Sequence, residues 1–385
     1  MKRPLPMPPN HVDPLLAGAS LGLVVIGAVV VGSASISLAD RDIGEPLYYL
    51  LRHLGAVGIG CAGAFIVAAV PTDVWYRLNG FVLLACVVLL VLVLVPGLGQ
   101  TVNGSARWLG LGPVRFQASE PARLLLLTYV ASYAVRHQAD LLTSFWGFLK
   151  PMFIVALVCA LLLAEPDFGA AVVVTLTSLG ILFVAGARLR DFVLALIIAA
   201  SAFGALAVNS AYRLERLTAF LNPWSDPFAS GFQLTQSLIA IGRGEWFGVG
   251  LGEGVQKLFY LPEAHTDFVF AVLTEELGFV GASFVVLLFA FIVYRAMAMG
   301  QQAIREGMEF QGLLSTGIGL MLGIQALINI GVNTGLLPTK GLTLPLVSYG
   351  RSSTVVTLVA LGMLMRVHRE LSAVQQVTAK RRPKQ

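Results

Sequence analysis

Apolar residues run through this chain in blocks of about 20, and polar residues gather in the gaps between them. Ten blocks can be drawn, near residues 15–37, 47–70, 78–96, 118–136, 150–164, 169–186, 192–210, 268–295, 309–331 and 349–367. A helix rises 1.5 Å per residue, so a block of about 20 residues reaches across a hydrocarbon core of about 30 Å. The pattern predicts an all-α integral membrane protein with about ten transmembrane helices, of which 150–164 is the shortest.

Composition strengthens this reading. Of 385 residues, 57% are hydrophobic and only 12% charged, and mean hydropathy is +0.80, beyond the usage of a soluble domain. Lys2 and Arg3 precede the first block as they would a signal peptide. That block exceeds a signal's apolar region and nine more follow, so it is read as a retained helix. The longest polar stretch, 211–267, is too short and too rich in glycine for a separate enzyme domain. The chain divides into a tail at 1–14, a ten-helix body at 15–370 with one large loop at 211–267, and a basic tail at 371–385.

Charge sets the expected orientation. With both termini in the cytoplasm, 15 of the 26 lysines and arginines fall inside, several of them in the tail "AKRRPKQ". The others lie in loops expected outside, and cations kept on that side need a carboxylate partner or an anionic ligand. Cys61, Cys86 and Cys159 lie within apolar blocks as small core residues, and the five histidines are scattered with no zinc spacing. No metal site and no nucleic-acid partner are expected.

The outer segments carry the candidate chemistry. In "NGSARWLGLGPVRFQASEPARL" (103–124), Trp108 is an interfacial anchor or, with Arg107, a grip for a sugar phosphate. In "AEPDFGAAVV" (164–173), Glu165 and Asp167 flank Pro166 as a helix cap or as a carboxylate pair facing a cavity. The large loop adds Arg213, Arg216, Gln236 and Lys257, and its alternating Gly248, Gly250, Gly252 and Gly254 let backbone pack closely over helix ends. Next comes "YLPEAHTDFVFAVLTEELG" (260–278), with Glu263, His265, Asp267, Glu275 and Glu276, so four of the chain's 21 acidic residues share 19 positions. Glu263 and His265 suit loop-fixing roles, while Glu275 and Glu276, about two turns deeper, face the interior or pair with an outer cation.

Four stretches, "NPWSDPFASGFQLTQSLIAIG", "GVGLG", "QKLFYLPEAHTDFVFAVLTEELG" and "NTGLLPTKGLTLPLVSYG", together resemble the SEDS family of bacterial peptidoglycan polymerases, over about residues 15–370. "PEAHTDF" and "GLLPTKGLTLPLVSYG" are closer to its division-type than to its elongation-type members. The resemblance implies ten membrane helices and a glycosyltransferase that polymerises lipid II on the outer face of the inner membrane at the septum. It further implies Asp267, in "HTDF", as the catalytic aspartate and Lys340, in "PTKG", as a second catalytic residue. His265, Glu276, Ser348, Arg351 and Ser352 join Arg107, Trp108, Glu165, Asp167, Arg213, Arg216, Gln236 and Lys257 as candidate substrate contacts.

Inversion from an α-linked lipid diphosphate to a β-1,4 bond needs one base for the incoming 4-hydroxyl and positive charge at the leaving diphosphate. The base would be Asp267, and the outer cations, Lys340 first, would meet the diphosphate. No cofactor is implied, although a divalent cation at the diphosphate is left open. The resemblance implies a class B penicillin-binding transpeptidase and other divisome proteins as partners, alongside lipid II, the growing lipid-linked strand and membrane lipid. Flipping of lipid II, or a scaffold role, are the alternatives. Gln325 and Asn329 within an apolar block are what transport would have in its favour.

Two positions depart from the family's pattern. Phe259 stands where some relatives carry a carboxylate, and Arg351 follows "SYG" where glycine is usual. A cation at a helix start is unfavourable by about 0.3–1 kcal/mol. The expectation is therefore a salt bridge from Arg351 to Asp267, Glu165, Asp167, Glu275 or Glu276, with the lipid diphosphate as the alternative.

Overall fold

The computed structural model describes residues 12–102, 105–111, 114–209, 211–339 and 341–381. Its helices are α1 (Pro14–Ile43), α2 (Tyr48–Ala69), α3 (Thr72–Arg77), α4 (Asn79–Leu94), α5 (Ser119–Arg136), α6 (Gln138–Thr143) and α7 (Phe145–Ala164). They continue as α8 (Phe168–Val184), α9 (Leu189–Val208), α10 (Ala211–Leu221), α11 (Phe232–Gly244), α12 (Val269–Arg305), α13 (Glu309–Asn333) and α14 (Arg351–Arg381). A helix covers each of the ten apolar blocks. Six of them, α1, α2, α7, α9, α12 and α13, are long and apolar enough to cross a membrane, and α4 and α8 are shorter apolar helices.

Local chemistry sets the ends. Pro14 opens α1 behind Asp13, whose Oδ1 accepts from the amides of Leu15 and Leu16 at 3.1 and 3.2 Å, and Gly44 closes it at φ +79°. Arg295 of α12 donates to the other Asp13 oxygen, tying the start of α1 to the far half of α12. At that same end, Thr72, Gln311 and Arg366 all meet the Glu370 carboxylate.

The centre is α13, which packs on α12 and α8 and is buried on most sides. It also meets α5 and α14, while α1 packs on α12 and α2, and α14 makes its longest contact along α2. By contrast α9 fully buries only Asp191, packs Phe192, Ala195 and Phe203 against the core and presents much of its remaining surface outward, as a lipid-facing helix does. Of the cysteines, Cys86 and Cys159 are core residues, whereas Cys61 is exposed on α2, contrary to expectation.

Three features depart from the apolar pattern. The Gly-punctuated segment after α4 is an antiparallel sheet of β1 (Gly99–Val102), β2 (Ser105–Leu111) and β3 (Val114–Gln117), in the order β1-β2-β3. The last helix continues to Arg381, through most of the segment expected to be a separate tail. Finally, α12 is broken at Gly278, whose φ of +68° and ψ of −169° lie outside helical space. Residues 245–250 lie in the break: Val249 and Gly250 donate to the carbonyls of Glu275 and Glu276, and Phe279 and Val280 donate to those of Glu245 and Trp246. A Cβ on Gly248 would overlap the Glu276 carbonyl oxygen, so this glycine permits close backbone packing, whereas a Cβ on Gly252 would meet nothing within 4 Å.

Candidate active site

Asp267 closes a tight turn just before α12. The Glu263 carbonyl accepts from the amides of Thr266 and Phe268, at 3.1 and 3.2 Å, and Glu263 itself sits in left-handed space at φ +56°. The Thr266 hydroxyl donates to the Glu263 carboxylate at 2.7 Å. The turn presents a half-buried Asp267 side chain, whose carboxylate has no hydrogen-bond partner among the described residues, while its backbone carbonyl accepts from Asn329 and Asn333, each at 2.9 Å. Across from the carboxylate is Gly341, where a Cβ would lie 2.8 Å from Asp267 Oδ2.

Burial pushes the Asp267 carboxyl up to about 7, and the negative charges of Glu263 and Asp167 add to that, while Arg107 and Arg216 pull the other way. Those five groups come from four segments of the chain, Glu263 and Asp267 sharing one turn, and their mutual influence defines one site at one end of the bundle. Arg107, on β2, donates from Nε to the Glu165 carbonyl at 3.2 Å and from Nη2 to that of Pro166 at 2.5 Å. Arg216, on α10, donates to the Thr339 carbonyl at 3.3 Å.

The two carboxylates around Pro166 differ in their surroundings. Asp167 caps α8 through Ala170 N at 3.1 Å and takes a second bond from the Ser119 hydroxyl at 2.9 Å. Glu165 is fully buried, with neither carboxylate oxygen partnered among the described residues. Burial, with Asp167 behind it, pushes Glu165 up to about 8 against the pull of Arg107, so it is mainly the neutral acid at neutral pH. Trp108 is half-buried in β2 opposite Gln117, and the Gln117 amide donates to the Ser352 hydroxyl at 2.9 Å, joining the sheet to the start of α14.

Arg351 begins α14 and is half-buried, and it forms no ion pair among the described residues. The expected salt bridge to Asp267, Glu165, Asp167, Glu275 or Glu276 is therefore absent there. Glu275 and Glu276 have other partners. Glu275 bonds Arg243 at 3.2 Å and accepts from the amides of Val255 and Gln256. Glu276 accepts from Lys257 at 2.5 Å and from the Ser33 hydroxyl at 2.6 Å, so these two candidate substrate contacts are paired with each other in a buried position.

His265 packs its ring between Tyr49 and Tyr349, with centroids 5.1 and 5.6 Å away, and its carbonyl accepts from Tyr349 N. Burial lowers its pKa despite the opposing Glu263 charge. The Ser348 hydroxyl accepts from Leu344 N at 2.8 Å, fixing the turn before α14. Gln236 is half-buried on α11. The Arg213 side chain and all of Lys340 lie outside the described residues. Both chain neighbours of Lys340 are described: Thr339 bonds Arg216, and Gly341 faces Asp267. Among the described residues no three His, Cys, Asp or Glu side chains converge as a metal-binding group.

Sequence reasoning overlooked Asn333 and Gly341 and weighed Gln325 and Asn329 only as the best argument for the transport alternative. The available signal was their spacing: three carboxamides four residues apart, at 325, 329 and 333, form one stripe on an otherwise apolar helix.

Residues 15–373 match the family described as "Cell cycle protein", which groups FtsW, RodA and SpoVE. A "Probable peptidoglycan glycosyltransferase FtsW" of Thioalkalivibrio sulfidiphilus is 54% identical over 350 residues, 91% of this chain and 88% of the relative. One of the same description from Nitrosococcus halophilus is 51% identical, covering 93% of this chain and 92% of the relative. Among solved structures, a chain from "Structural coordination of polymerization and crosslinking by a peptidoglycan synthase complex" superimposes with a TM-score of 0.77 at 30% identity, covering 94% of this chain and 98% of the other. The rod shape determining protein RodA of Thermus thermophilus gives 0.69 at 29% identity, covering 94% and 97%.

Proposed function

The chain belongs to the cell cycle protein family of FtsW- and RodA-type proteins, and from that premise we propose that Asp267 is the general base of a division-type peptidoglycan glycosyltransferase. The enzyme joins lipid II disaccharides into β-1,4 strands and releases undecaprenyl diphosphate. Asp267 takes the proton from the incoming 4-hydroxyl as that oxygen attacks the anomeric carbon from the face opposite the diphosphate. The anomeric centre inverts in one displacement and the bond to the diphosphate breaks with its electron pair on the leaving oxygen. Arg107, Arg216 and, from its sequence position, Lys340 supply positive charge for that leaving group.

The observation that carries this reading is the state of Asp267. Its backbone is held by two carboxamides, its carboxylate has no hydrogen-bond partner among the described residues, and burial pushes its pKa up to about 7, where a base is both ionised and strong enough to be useful. A divalent cation at the diphosphate would draw most of its ligands from the phosphates and one or two carboxylates, which this site could supply. Transport loses its main support, because Gln325 and Asn329 spend their donors on the backbone carbonyls of Thr343, Asp267 and Leu342.

Orientation follows from charge. Arg136, Lys150, Arg188, Arg190, Arg305 and Arg369 lie on the end of the bundle opposite Asp267, which suits the cytoplasmic face and leaves the site on the periplasmic side of the inner membrane, at the septum. A class B penicillin-binding transpeptidase is the partner that would crosslink the product, in line with the synthase complex of similar fold.

The test is glycan ladder formation from fluorescent lipid II by the purified full-length protein, with and without the transpeptidase. Wild type should yield ladders, and Asp267→Asn, which cannot accept the proton, should lose at least about a hundredfold in rate while remaining folded. Lys340→Met should fall severely as well, with incomplete rescue by arginine, because a planar fork replaces a compact ammonium. Movement of lipid II across a vesicle bilayer without ladder formation would instead establish the transport reading.

A further inference from the structure

One face of α13 carries Gln325, Asn329 and Asn333, all buried to 2% exposure or less. Unsatisfied carboxamides at such depth are costly, so their partners disclose what they are for. Gln325 accepts from Arg123 at 3.1 Å and donates to the Thr343 carbonyl at 3.0 Å. Asn329 donates to two carbonyls, that of Leu342 at 2.6 Å and that of Asp267 at 2.9 Å. Asn333 donates to the same Asp267 carbonyl, and its Oδ1 accepts from Ala271 N at 3.1 Å.

Two consequences meet at Asp267. The start of α12 has no side-chain cap of its own, and Asn333 supplies one from a different helix by satisfying a first-turn amide. Meanwhile Asn329 joins the residue before α12 to the segment 341–343, whose Gly341 packs directly against the Asp267 carboxylate. A single rigid helix thus sets the carboxylate against the segment that follows Lys340 in the chain.

We propose that Asn329 and Asn333 are positioning residues for the polymerisation step: by clamping the Asp267 carbonyl, the first turn of α12 and the Leu342 carbonyl to one face of α13, they fix the place of the Asp267 carboxylate. The inference rests on the reading of Asp267 as the base. A base displaced by about 1 Å loses up to about a hundredfold in rate, and its burial at this place, ahead of the charges of Glu263, Arg107, Arg216 and Asp167, is what raises its pKa.

The test measures kcat, KM and the pH dependence of kcat for lipid II polymerisation by the full-length protein. Asn329→Leu and Asn333→Leu keep the branching of the side chain, with methyl groups in place of the carboxamide atoms, and cannot donate. Gly341→Ala presses on the carboxylate from the opposite side without removing a hydrogen bond. Each should lower kcat by about tenfold or more and leave KM within about twofold. In the leucine variants the acid limb of kcat should also move down from about 7 towards the ordinary carboxylate range, as water reaches a less confined group. A defect of folding alone lowers the amount of active enzyme and leaves the limb in place. Should the leucine variants fail to insert, Asn333→Ser and Gly341→Ala decide, and unchanged kcat and acid limb in both overturn the proposal. Asp267→Asn is assayed alongside. Its inactivity together with wild-type kinetics in the positioning variants refutes positioning alone, whereas its full activity refutes the base assignment and this inference with it.

Discussion

Asp267 and the pair Glu275 and Glu276 come from the same 19-residue stretch, yet the fold treats them in opposite ways. At Asp267 the backbone is fixed and the carboxylate is left without a partner among the described residues. At Glu275 and Glu276 the carboxylates are the fixed parts, bonded to Arg243, Lys257, Ser33 and the amides of Val255 and Gln256. A held backbone with a free carboxylate is equipment for chemistry, because the group can take a proton and adapt to a substrate. A carboxylate already bonded to a cation, to a hydroxyl or to backbone amides is architecture, even though only one oxygen of Glu276, Oε1, carries its bonds. Here it holds the Gly-rich loop in the break of α12.

The comparison can be broken most forcefully at the architectural site. Glu276→Gln should destabilise the protein by about 3–5 kcal/mol, because Lys257 is then buried without a counter-charge. The double variant Glu276→Gln with Lys257→Met should recover most of that loss and retain polymerisation per folded molecule. Thermal unfolding in detergent, read beside ladder formation, checks both. A stable but inactive double variant would move Glu276 into the site.

A smaller effect belongs to Glu165. Its folded pKa of about 8 lies above the ordinary value of 4.5, so the folded state holds a proton that the unfolded chain releases. Its contribution is full below about 4.5 and declines as pH rises towards about 8. Glu165→Gln removes that titration, and the slope of stability against pH between those values should flatten. An unchanged slope would mean that Glu165 finds a partner in solution.

Two finer changes sharpen the picture of Asp267. Glu263 raises the Asp267 pKa and Arg216 lowers it, so Glu263→Gln should move the acid limb of activity to lower pH and Arg216→Met to higher pH. Movement in the reverse directions would contradict the electrostatic arrangement. The least effect is expected at Arg351. With no ion pair among the described residues, Arg351→Gly should change stability by less than about 1 kcal/mol, and a raised KM for lipid II would assign the arginine to the substrate.

The helices were legible because lipid forces long apolar runs, and a run of that kind has few other structures open to it. The sheet at 99–117 was not, since its strands are short, carry several glycines and alternate weakly. Nor was the break at Gly278, one glycine within an apolar run. Asp267 became a candidate base through its motif. Its difference from Glu276 could not be read from sequence, because the partners of Glu276 include Ser33, 243 positions away. The stripe of carboxamides on α13 was visible as a pattern, but only its contacts tell a backbone clamp from a transport pathway. Arg351 failed in the other direction: charge logic demanded a carboxylate, and the fold gives every candidate carboxylate another environment.

The central claim is that Asp267 accepts the proton in glycan transfer, and the most direct measurement is the pH dependence of single-turnover lipid II polymerisation by wild type and Asp267→Asn. The account predicts a wild-type rate that rises through about pH 7 as the carboxylate ionises, and an Asp267→Asn rate that is low at every pH and has lost that rise. An Asp267→Asn enzyme that keeps both the rate and the rise through pH 7 would show that another group takes the proton.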